Sequence, residues 1–174
     1  VVVGNPPYIR IQALKEWAPR EVEFYKQRYI SASKGNYDIY VVFVEKGLSL
    51  LKPDGQLGFI LPHKFFNAQY GEALRAILAK GRHLSKVVHF GDQQVFENAT
   101  TYTCLMFLDK AGKEAFEFEK VTDLPAWREN TPDAATQVSI LGTLPSVQAT
   151  AASWNFSVGK GAGLFEKLSR MTTS

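Results

Sequence analysis

The sequence predicts an α/β protein with a mainly parallel sheet, and three stretches carry that prediction. The chain opens on Val1-Val2-Val3, a β-branched run of the kind found in buried parallel strands, which Gly4 and the prolines after it stop. Tyr37 to Leu51 keeps a broad apolar face at helical spacing, Lys52-Pro53-Asp54-Gly55 ends it, and Gln56 to Leu61 reads as a strand. Helix, tight turn and strand make half of a parallel crossover. Further on, Leu84 to Phe90 and Thr101 to Leu108 both read as strands, joined by a loop of about ten residues. A parallel connection needs more chain than that, so this last pair is predicted antiparallel.

The remaining elements follow in order. Pro6 and Pro7 fix φ and donate no hydrogen bonds, so the first strand cannot run through them, and Asn5 is held extended at its carboxyl end. In open α/β sheets that edge is where ligands bind. Residues 9–36 interrupt the domain. Trp17 to Ile30 reads as a helix with Pro19 in an early turn, and Arg10, Lys15, Arg20, Lys26, Arg28 and Lys34 make this the most basic region. Aromatics among those cations suit phosphate contact and base stacking; a solvated helix packing its aromatics on the domain fits the pattern equally well. Leu61-Pro62-His63-Lys64-Phe65-Phe66-Asn67 is a second proline-stopped strand end, with Asn67 expected to cap a helix running to about Gly81. Phe116-Glu117-Phe118-Glu119 alternates like an edge strand. From Val121 the pattern weakens into a linker with Pro125, Pro132 and Pro145, and Trp154-Asn155-Phe156 introduces a short periodic segment at Leu164, Phe165 and Leu168.

Composition narrows the class. Hydrophobic residues make up 45% of the 174, enough for a real core, and no apolar stretch of about twenty residues suggests a membrane span. The single cysteine, Cys104, lies inside the predicted strand Tyr102 to Leu108 and reads as a buried residue; it excludes an internal disulfide and fits a reducing compartment, the cytoplasm. His63, His83 and His89 have no metal-ligand spacing, so no metal is predicted. A net charge of +3 is compatible with nucleic acid without requiring it.

Asn5-Pro6-Pro7-Tyr8 after a hydrophobic strand resembles the catalytic loop of S-adenosylmethionine-dependent amino methyltransferases, above all the adenine-N6 DNA methyltransferases. Two further stretches share the resemblance. Tyr37-Asp38-Ile39-Tyr40 opens a helix as in the family's segment beside the cofactor. Val95-Phe96, a few polar residues and a β-branched strand resemble the motif whose Phe faces the catalytic Tyr across a flipped base. The basic insertion makes the whole most similar to the methyltransferase part of bacterial type IIG restriction–modification enzymes. The resemblance implies the back half of a Rossmann-like methyltransferase sheet, parallel strands plus an antiparallel final strand, followed by a linker into a target-recognition domain.

It also implies roles. The adenine amine is a poor nucleophile because its lone pair is delocalised; the Asn5 side-chain oxygen and the Pro6 carbonyl would hold its two N–H groups and free that lone pair. Pro7 would keep the loop rigid, and Tyr8 and Phe96 would sandwich the base once it leaves the duplex. Asn5, Pro6 and Phe43 would border S-adenosylmethionine, although the residue pattern itself favours Phe43 as a core residue of its helix, which needs no such role. The partners implied are double-stranded DNA and S-adenosylmethionine, with no membrane. The family's glycine-rich cofactor loop and its ribose-binding acid precede the Asn-Pro-Pro-Tyr loop, and Gly159-Lys160-Gly161-Ala162-Gly163 lacks the dinucleotide spacing. The expectation is therefore a piece of a longer protein, inactive alone: 1–120 the C-terminal part of a catalytic domain, 121–174 a linker and the start of a target-recognition domain. Protein-glutamine or RNA-guanine methyl transfer, and a non-catalytic DNA-binding subunit, are the competing readings.

Overall fold

The computed structural model describes residues 1–97, 101–129 and 137–159. Its centre is a six-stranded mixed sheet of β1 (Val2–Gly4), β2 (Gln56–Pro62), β3 (Leu84–His89), β4 (Thr103–Asp109), β5 (Ala115–Val121) and β6 (Ser139–Pro145), in the order β1-β2-β4-β3-β5-β6. β1 and β2 run parallel, as the half crossover predicts, with Gly4 beside Phe59. β4 inserts between β2 and β3 and is antiparallel to both, which is the pairing the short loop requires.

Helix α3 (Tyr40–Leu50) lies against β2. Gly47 allows the approach, since a Cβ there would stand 2.5 Å from Leu57 Cδ1. On this face Leu57, Phe59 and Leu61 share register with Leu108, Met106 and Cys104, and all are buried. Cys104 is fully enclosed, and burial pushes its thiol far above the ordinary range, so it is a strand residue as its sequence context predicts. A smaller cluster on the other face joins Val88, Phe90, Val121 and Leu124. Beyond it that face stays open: Val3 is 79% and Phe107 37% exposed. The opening valines are therefore not a strand covered on both faces, because Val3 stands exposed on the open one, and among the described residues β1 pairs with β2 alone.

Four further local expectations change. The predicted helix from Trp17 to Ile30 is two helices, α1 (Ile11–Trp17) and α2 (Pro19–Arg28), broken at Ala18, which Pro19 pushes out of helical geometry to φ −134°. Asn67 caps no helix; it closes the 3-10 turn His63–Phe66, and α4 (Glu72–Lys80) starts after a second short turn with Gly71 at its N-cap. β5 is not an edge strand, because β6 pairs along its whole length. The stretch after Val121 is also more structured than its prolines suggest. Pro125 sits in the first turn of α5 (Leu124–Glu129), where its missing N–H matters little, and Trp154 is buried between Phe65 and Phe66. The segment at Leu164, Phe165 and Leu168, and the glycines at 161 and 163, lie outside the described residues.

Candidate active site

Because β1 and β2 are parallel, their carboxyl ends reach one edge of the sheet, and the Asn5–Tyr8 loop leaves from that edge. Asn5 and Pro7 are exposed, Pro6 is buried and Tyr8 is half-buried. The far side of the loop is tied to the entrance of α3. Ile39 N–H donates to the Ile9 carbonyl and Ile11 N–H to the Tyr37 carbonyl, each at 2.9 Å, around an antiparallel bridge between Arg10 and Asp38. A stiff loop fixed at both ends keeps its polar groups placed before any ligand arrives.

Tyr8 is held in two ways. Its hydroxyl donates to the Ile60 carbonyl at 3.1 Å, and its ring meets Tyr40 edge-on, 6.4 Å between centroids. Burial, with a smaller contribution from Cys104, pushes the Tyr8 phenol up to about 12, so it stays a protonated donor. Tyr40 continues inward: its hydroxyl shares a 2.8 Å hydrogen bond with Tyr70, which donates to Asp38 at 3.4 Å.

A cleft of about 540 Å³ opens beside Tyr8, bounded among others by Arg10, Asp38, His63, Lys64 and Tyr102. That volume is in the range of small-ligand sites. The second proline-stopped strand end thus reaches the same place as the first, and Lys64 is exposed at its rim. Tyr102, just before β4, lies nearly parallel to the His63 ring at 20°. The cleft residues His63, Tyr102, Arg10 and Asp38 are those that sequence reasoning missed as site residues. The Arg10–Asp38 pairing depends on two segments 28 positions apart meeting in space, and no local pattern announces it.

Phe96 is half-buried in the loop after β3, which is described as far as Glu97. Among the described residues no aromatic pair joins Phe96 to Tyr8; the aromatic that shares the cleft with Tyr8 is Tyr102. The Phe96 loop is nonetheless anchored: Gln93 Nε2 donates to the Val121 carbonyl at 2.9 Å, its Oε1 accepts from Leu124 N–H at 2.7 Å, and Arg128 donates to the Val95 carbonyl. Phe43 is 39% exposed on the outer side of α3, so core packing does not account for it and it is available to a ligand.

Residues 1–96 match the family described as Eco57I restriction-modification methylase. The chain is 43% identical over 127 residues, 73% of its length, to the type II restriction enzyme and methyltransferase RM.Eco57I of Escherichia coli. It is 30% identical over 172 residues, 98% of its length, to the type II methyltransferase M.PaeR7I of Pseudomonas aeruginosa. These alignments span 13% and 26% of the two relatives. Among solved structures, DrdV in its DNA complex superposes with a TM-score of 0.61 at 16% identity, covering 91% of this chain and 18% of DrdV. The type IIG restriction endonuclease BpuSI superposes at 0.60 with 15% identity, covering 88% and 20%. At such identities the likeness is one of fold.

Proposed function

The chain belongs to the Eco57I restriction-modification methylase family, and we propose that it carries the base-binding half of a site-specific adenine-N6 DNA methyltransferase of the type IIG kind. The observation that carries this reading is the Asn5–Tyr8 loop itself, exposed at Asn5, fixed on both sides, and bordering a cleft walled by aromatic and polar side chains.

In this reading the Asn5 side-chain oxygen and the Pro6 carbonyl accept the two N–H groups of the adenine amine and turn its lone pair outward. No strong base is required, because preplaced acceptors stabilise the charge that develops on nitrogen. Tyr8 stacks on the flipped base while its hydroxyl stays tied to β2, and Phe96 closes the other side. Asn5, Pro6 and the exposed Phe43 are the residues of this chain that would border S-adenosylmethionine, which supplies the electrophilic methyl group when bound. The donor set fits such a group: an exposed amide at a sheet edge and an aromatic ring that the core leaves uncovered.

We assign residues 1–120 to the catalytic domain and 121–174 to the passage into a target-recognition domain. β6 and Trp154 would then be the fastening between them. Among the described residues no helix is long and apolar enough to cross a membrane, and a buried free thiol suits a reducing cytoplasm where DNA is the substrate.

The test is Asn5→Ala in the full-length enzyme, with labelled methyl transfer measured on duplex DNA. Asn5 is exposed, so folding should be unchanged while the rate falls by about 100-fold or more, the usual worth of one charge-stabilising contact. Near-normal methylation by the variant, or label entering RNA or protein and not DNA, would overturn the reading.

A further inference from the structure

Two histidines that sequence spacing leaves unconnected meet at the cleft. His63 follows β2, His89 ends β3, and their rings lie 4.2 Å apart between centroids. Between them they grip one residue. Gly91 N–H donates to His89 Nδ1 at 3.0 Å, and His63 Nε2 donates to the Gly91 carbonyl at 3.2 Å. The directions of these bonds fix both tautomers: Nδ1 of His89 must be bare and Nε2 of His63 must carry a proton. Gly91 turns the chain at φ +61°, and the loop it opens leads to Phe96.

Packing gives no reason for imidazoles here. The pair is surrounded by Phe66, Tyr102 and Phe118, and two apolar rings would fill the space without desolvating polar nitrogens. The recorded use of those nitrogens is the grip on Gly91. Burial holds both rings below the ordinary histidine range, and for His89 the nearby His63 and Lys120 lower it further, which keeps His89 in the neutral form whose bare Nδ1 the grip needs. The other titratable groups facing the pair are Tyr102 in the cleft and Cys104, opposite His89 on β4.

We propose that His63 and His89 are positioning residues for methyl transfer, holding the Phe96 loop against the Tyr8 cleft through their shared grip on Gly91. This rests on the base-binding reading of Tyr8 and Phe96. His63 belongs to the wall of the cleft and Gly91 to the root of the loop, so the clamp couples the two sides between which a flipped base would lie.

The test uses the full-length enzyme and a duplex with 2-aminopurine at the target position, whose fluorescence rises when the base leaves the stack. His63→Gln keeps a terminal N–H donor and His89→Asn keeps an acceptor at the δ position, whereas His63→Leu and His89→Leu fill space and bind nothing. The leucine variants should lose the fluorescence rise and raise the KM for DNA by about tenfold, with thermal unfolding little changed, and the amide variants should recover most of it. Equal behaviour of leucine and amide variants, or normal flipping by the leucine variants, would overturn the proposal. If the leucine variants do not fold, acidification decides. The wild-type signal should fall as His89 Nδ1 gains a proton, and His89→Asn should retain it; an identical acid loss in both overturns the clamp. Asn5→Ala run alongside separates the readings, since normal methylation by that variant defeats the site assignment whatever the histidines do.

Discussion

The Tyr8 hydroxyl donates to the backbone carbonyl of Ile60, so the ring that ends the Asn-Pro-Pro-Tyr loop is latched to the neighbouring parallel strand. In the proposed reading its orientation is set before a base arrives. Tyr8→Phe keeps the ring and loses the latch, and the expected loss is about 1 kcal/mol, or roughly fivefold in kcat/KM. Tyr8→Ala loses stacking as well, worth about 1–3 kcal/mol more. Because burial pushes the phenol from its ordinary 10 to about 12, the pH–rate profile of the wild type should show no tyrosine limb near pH 10. Steady-state kinetics of the two variants on the same duplex check the ordering.

Acid should loosen the structure at the histidine pair. Burial lowers His89 from its ordinary 6.5 to about 4, so between these values the unfolded chain binds a proton that the folded chain does not. Stability therefore rises with pH through that window and is lost as pH falls from 6.5 toward 4. Each such proton contributes a slope of about 1.4 kcal/mol per pH unit. Denaturant unfolding of the full-length protein across this range should show a shallower dependence in His89→Asn than in the wild type. Equal slopes would mean that His89 is already solvated in the folded state.

What was legible in the sequence followed from local rules, and what was hidden depended on distant partners. Prolines at 6, 7 and 62 marked two strand ends, and parallel pairing of β1 with β2 brings both to one edge. The length of the loop before β4 dictated its antiparallel insertion. The helix break at Ala18 was also a local signal, since Pro19 disfavours helix in the residue before it, although Pro19 also suits the early turn of a single helix from Trp17. β6 was hard to read because Gly142 interrupts the inward face of Ile140 and Leu144 while Leu141 stands exposed on the other, and its pairing with β5 is what makes it a strand. The histidine pair was invisible for the same reason: 26 positions separate two rings that only the sheet order brings together.

Arg75 should prove more important to stability than a helix arginine usually is. It is 3% exposed and donates to the carbonyls of Phe65, Ala68 and Ala151, with no carboxylate partner among the described residues. It thereby ties the turn after β2 to the segment that carries Trp154, whose backbone N–H donates to the Phe66 carbonyl at 2.9 Å. Lysine cannot serve three carbonyls with that geometry, so Arg75→Lys should lose about 2 kcal/mol. Trp154→Ala should lose about 3–5 kcal/mol from an emptied aromatic site. Because the two hold the same seam, the double variant should lose less than the sum, which denaturant unfolding of the full-length protein can measure. Strict additivity would place them in independent units.

The insertion between the Asn5–Tyr8 loop and α3 makes the sharpest prediction about DNA. Ile11, Leu14 and Val22 fasten α1 and α2 to the domain, while Trp17 and Phe24 are 66% and 54% exposed. The aromatics thus do not all pack inward, as a merely solvated helix would have them do. Lys15, Arg20 and Lys26 are exposed on the same pair of helices. If they meet phosphates, each alanine substitution should flatten the dependence of log Kd on log salt by about one unit and weaken binding similarly for cognate and non-cognate duplexes. Trp17→Ala should instead weaken binding with the salt slope preserved, because stacking releases no counterions. Fluorescence anisotropy of labelled duplexes at several salt concentrations separates these outcomes. An unchanged slope in the triple variant Lys15→Ala/Arg20→Ala/Lys26→Ala would assign the charges to solvation and leave DNA contact to other parts of the enzyme.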